Sequence, residues 1–60
     1  MTNLLSTLSK TLQAKLSDFG VSTVSVEYNE VNTVSNYDLD YSYITAIENE
    51  LIAQGYSIEC

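Results

Sequence analysis

Carboxylates and phenols make up most of the reactive chemistry in this chain. Eight Asp and Glu residues and five tyrosines stand beside two lysines, no arginine, no histidine and a single cysteine, Cys60. Without an imidazole, neither a Ser-His-Asp nor a Cys-His arrangement can be assembled. One cysteine without histidine cannot furnish a zinc set. Gly20 and Gly55 are isolated, so no Gly-rich loop exists to cradle a phosphate. These residues predict a protein that is not an enzyme and uses no cofactor or metal.

One segment imitates a cation site. Asp38-Leu39-Asp40-Tyr41-Ser42 alternates oxygen ligands as a calcium loop does. Counted from Asp38, however, the sixth position is Tyr43 where the sharp turn needs Gly, and the twelfth is Asn49 where a bidentate Glu belongs. Helix capping by Asp38 or Asp40 explains these acids better. Cys60 has no neighbouring base to depress its pKa and reads as a partly buried residue ending a strand.

The tyrosines interleave with the acids. Between Glu27 and Tyr43 lie four tyrosines together with Glu27, Glu30, Asp38 and Asp40. Tyrosine offers a large, stiff contact area with a polar tip, and a carboxylate beside it can take paired bonds from an arginine. The residues expected to meet a partner are therefore Glu27, Glu30, Tyr37, Asp38, Asp40 and Tyr41. Tyr28 and Tyr43 fall on apolar stripes and are expected in the core.

The charge is distributed unevenly. Both lysines, Lys10 and Lys15, precede Asp18, all eight acids lie at or after it, and the net charge is −6. Such a surface repels nucleic acid and anionic membranes and attracts a basic, Arg/Lys-rich protein surface. No apolar run is long enough for a membrane span. Residues 1–17 lack the unbroken apolar stretch of a signal peptide, so the expected location is the cytoplasm.

The elements that would position these groups follow from periodicity. Leu5, Leu8, Leu12, Leu16 and Phe19 form one stripe, predicting a helix over 2–19 that Thr2 or Asn3 caps and Gly20 ends. Its other face, Ser6, Thr7, Ser9, Lys10 and Ser17, is expected to be solvated. Val24, Val26 and Tyr28 alternate with polar residues in a strand over 21–31. A turn within 29–33 and a second strand over 34–37 would complete a hairpin. Tyr43, Ile44, Ile47 and Leu51 predict a second helix over 38–54, stopped by Gly55. Tyr56, Ile58 and Cys60 alternate as a short closing strand. The expected fold is α+β, one domain over 1–60, in the order α-β-β-α-β. Two amphipathic helices would lie on one face of a small three-stranded sheet, antiparallel or mixed.

At sixty residues, with no disulfide or metal to add stability, a partner chain is the remaining support, and a homo-oligomer is its simplest form. In size, acidity and lack of catalytic groups the chain is similar to compact acidic inhibitors, often phage-encoded, that imitate the charge of DNA. The likeness implies a binding protein that blocks a nuclease or another nucleic-acid-binding protein. The alternative is a self-assembling structural or regulatory module, or a small subunit of a larger complex.

Overall fold

A computed structural model describes residues 2–59. The chain folds as a short 3₁₀ turn, Leu5–Thr7, then α1, Lys10–Ser17, β1, Thr23–Glu27, β2, Glu30–Val34, and α2, Tyr41–Ala53. It is an α+β fold with a two-stranded antiparallel sheet.

Leu8, Leu12 and Leu16 of the stripe are buried and Leu5 is half-buried, but the stripe does not ride on one helix. Leu8 and Ser9 take extended backbone angles and separate the 3₁₀ turn from α1. The Ser and Thr residues of this stretch offer the backbone other hydrogen bonds, which is why they favour caps over helix interiors. Ser9 Oγ accepts from Leu12 N at 3.3 Å and becomes the N-cap of α1. Asn3 Oδ1 accepts from Leu5 N and Thr7 Oγ1 donates to the Leu4 carbonyl. Thr7 also accepts from Gln54 Nε2, so it is tied to α2's C-terminal end rather than merely solvated.

Both glycines end helices. Gly20 at φ 70° lets Val21 N reach back to the Leu16 carbonyl, and Gly55 at φ 105° lets Tyr56 N reach that of Leu51. These six-residue returns are the C-terminal caps that a left-handed residue makes possible.

The hairpin turns earlier than the sequence predicts. Its register pairs Glu27 with Glu30, Val26 with Val31 and Val24 with Thr33, leaving only Tyr28 and Asn29 in the turn. Both turn residues have positive φ, 52° and 62°, as the tightest right-twisted hairpins require. This register keeps Val24, Val26, Val31 and Thr33 on the core side, which a turn within 29–33 would not. Tyr28 is consequently not a core residue but is 94% exposed.

The third strand is absent from the described residues. After Gly55 the described chain makes no ladder; its one backbone hydrogen bond to the hairpin runs from Glu59 N to the Asn29 carbonyl at 2.9 Å, while Ile58 packs on the core. The free flank of β1 is taken at Val24 from the other end of the chain. Leu4 N donates to the Val24 carbonyl, and Val24 N donates to Asn3 Oδ1. Cys60 lies outside the described residues.

Leu4, Leu8, Leu12, Leu16, Val21, Val24, Ile47 and Leu51 form one buried cluster. Phe19 and Tyr43 close its side, with ring centroids 5.0 Å apart. α2 packs against both α1 and β2, and the 3₁₀ turn against β1. Leu12 and Leu16 of α1, Val24 of β1, and Ile47 and Leu51 of α2 meet in that one cluster.

Candidate acidic contact sites

The six residues expected to meet a partner fall into two groups at opposite ends of the hairpin. Five residues of β2 span about 13 Å, so Glu30 and whatever follows Val34 cannot share one small patch.

The first group is the hairpin tip. Glu27 and Glu30 are direct cross-strand partners. Like charges placed so are destabilising, because their side chains leave the sheet on the same face. The hydrogen bond from Glu59 N to Asn29 brings a third acidic residue to the same turn. Between the first two carboxylates stands Tyr28, exposed and left-handed. A non-glycine residue with a Cβ in that conformation costs roughly 1–2 kcal/mol. A bulky ring held there without packing contacts has no structural benefit, and strained residues of this kind cluster at functional sites. The sequence pattern concealed Tyr28, because alternation with Val24 and Val26 pointed it inward. Its adjacency to Asn29, a residue that tolerates positive φ, was the available signal for the turn.

The second group is the segment between β2 and α2. Tyr37 is 67% exposed and Tyr41 78%, with Asp38 and Asp40 exposed beside them. Asp40 occupies the N-cap position of α2, yet its side chain accepts no capping bond. Its carbonyl alone receives Tyr43 N and Ile44 N. Asp38 makes no side-chain hydrogen bond among the described residues, so neither acid is committed to holding the helix.

Glu27 also borders a cleft of about 570 Å³ lined by Thr2, Leu4, Ser25, Val26 and Tyr56. It holds one carboxylate, one phenol and hydroxyls, with no base positioned to activate a nucleophile. Among the described residues no three His, Cys, Asp or Glu side chains converge to hold a metal ion. No helix there is long and apolar enough to cross a membrane.

No protein-family model, curated protein or solved structure matches the chain at a significant level. Its chemistry therefore rests on its own residues.

Proposed function

We propose that this is a non-enzymatic binding protein that occupies a basic surface of another protein, in the cytoplasm. The observation that carries this reading is the Glu27–Glu30 pair. Two carboxylates sit directly opposite each other at an exposed tip, in a stretch that contains no base from Asp18 to the end. Their mutual repulsion is relieved when an arginine or lysine of a partner bridges them, so the pair favours the bound state. Tyr28 supplies contact area at the same place. A second anchor comes from Tyr37, Asp38, Asp40 and Tyr41. The blocking of a nuclease or another nucleic-acid-binding protein by charge imitation belongs to this class of action.

The test uses a synthetic Arg/Lys-rich peptide, titrated at low and high salt. Binding should weaken with salt, since exposed charge contacts are screened. Glu27→Gln with Glu30→Gln should lower affinity at least tenfold, because each charge-assisted bond contributes about 1.5–3 kcal/mol. Asp38→Asn with Asp40→Asn should act similarly while leaving the melting temperature within a few degrees. Asp18→Asn with Glu48→Gln removes the same charge elsewhere and should change affinity less than about threefold. Equal losses from all three pairs would mean that net charge alone attracts the peptide, and the proposal would fall.

A further inference from the structure

Among the described residues, the outer flank of β1 is bonded at Val24 and leaves only Val26 free, whereas the outer edge of β2 is free at two successive outward positions, and the register fixes which atoms face outward. Val24 directs its N–H to Asn3 Oδ1 at 3.1 Å and its carbonyl to Leu4 N at 2.6 Å, away from β2. The pairs Val24–Thr33 and Val26–Val31 are therefore the non-hydrogen-bonded pairs of the ladder. It follows that Thr33 and Val31 aim their own N–H and C=O groups along the outer edge of β2. No described residue bonds to those four groups. A row of unpaired main-chain donors and acceptors is a template for another strand.

Side-chain alternation specifies what such a strand should carry. Glu30 and Asn32 lie on the solvent face of β2, with Glu27 beside Glu30 on the neighbouring strand. Val31 packs against the core and Thr33 is half-buried beside it. A strand added here presents alternate residues to the carboxylates and the others to the apolar row. A second copy would meet this edge with the same Glu residues and its own net charge of −6, which opposes self-pairing. We propose that the open edge of β2 receives an extended segment of the basic partner as an added strand, its Lys or Arg residues alternating with apolar ones. This rests on the proposed basic partner and adds how that partner is gripped.

The experiment uses the full chain and two synthetic peptides of identical composition, one alternating lysine with valine, the other with its lysines and valines in separate blocks. The alternating peptide should bind at least tenfold more tightly and should slow hydrogen exchange at the Val31 and Thr33 amides. Thr33→Pro removes an outward donor without touching the β1–β2 ladder, and edge strands tolerate proline in that place. It should weaken the alternating peptide about tenfold and leave the block peptide unchanged. If that variant does not fold, the exchange rates of the unmodified protein decide. Equal affinity for both peptides with unprotected amides would overturn strand addition yet leave the basic partner standing. Binding of neither peptide would overturn both. Protection of Val31 and Thr33 without peptide, in a species that scatters light as a dimer, would assign the edge to a second copy and overturn the inference.

Discussion

Glu50 caps a helix to which it does not belong. Its Oε1 accepts from Ser9 N at 2.7 Å and its Oε2 from Ser9 Oγ at 2.8 Å, while Ser9 Oγ accepts from Leu12 N. In a local capping box the third helical residue reaches back to the N-cap N–H. Here that residue is Leu12, which cannot, and a carboxylate 41 positions along the chain does it instead. The two helices are thereby joined end to side by a polar clamp beside the buried leucines.

Glu50→Ala should therefore destabilise by about 1–2 kcal/mol, the value of two hydrogen bonds to a partly screened carboxylate. In a domain of this size that lowers the melting temperature by very roughly 4–16 °C. Glu48→Ala, a helix neighbour without such bonds, should change it little. Equal shifts in thermal melts of the two variants would remove the clamp from the account.

Leu16 is fully buried on α1 and touches the cluster shared with α2. Leu16→Ala should cost about 2–5 kcal/mol through lost burial and the cavity left behind. A sixty-residue domain holds only about 3–9 kcal/mol in all, so urea titration should show a protein near or past unfolding. Thr11→Ala, exposed on the same helix, should leave the midpoint almost unchanged.

Gly20 and Gly55 should respond differently to alanine, although both have positive φ. A Cβ on Gly20 would come within 2.5 Å of Asn36 Nδ2 and 3.0 Å of its Cβ, whereas one on Gly55 meets nothing. Gly55→Ala should carry only the backbone cost, roughly 1–2 kcal/mol. Gly20→Ala should exceed it, because the Asn36 side chain must also move. Denaturant midpoints in the reverse order would contradict the placement of Asn36.

Tyr28→Asn exchanges a strained ring for a residue that accepts the left-handed turn. The melting temperature should rise by a few degrees, and affinity for the Arg/Lys-rich peptide should fall. A lower melting temperature would show that Tyr28 supports the fold after all.

Periodicity located the buried residues better than the elements that carry them. Leu8, Leu12, Leu16, Val24, Ile47 and Leu51 are all core, and Gly20 and Gly55 end their helices. The break at Leu8–Ser9 was hidden because a helical stripe survives when one turn is pulled straight and still faces inward. The hairpin turn was hidden because Tyr28 continues the apolar alternation, and only the pairing of Val26 with Val31 decides against it. The alternation of Tyr56 and Ile58 suggested a strand, but Asn3 and Leu4 already fill the flank at Val24. Contacts such as Ser9 with Glu50 have no local signature, since nothing in either neighbourhood names the other. Position along the chain did not reveal how the acidic residues group, which the length of β2 determines.

The contrast between the two flanks of the sheet has a consequence for stoichiometry. A two-sided ribbon can relay pairing from molecule to molecule and grow without limit. Here Asn3 and Leu4 act as a built-in stopper, occupying Ser22 and Val24 with three hydrogen bonds. On that flank only the outward groups of Val26 are left without a partner among the described residues. A strand added at β2, as proposed, would find Val24 of β1 already bonded on the other side, so a one-to-one complex is the expected stoichiometry, to be checked by light scattering of the mixture with the alternating peptide.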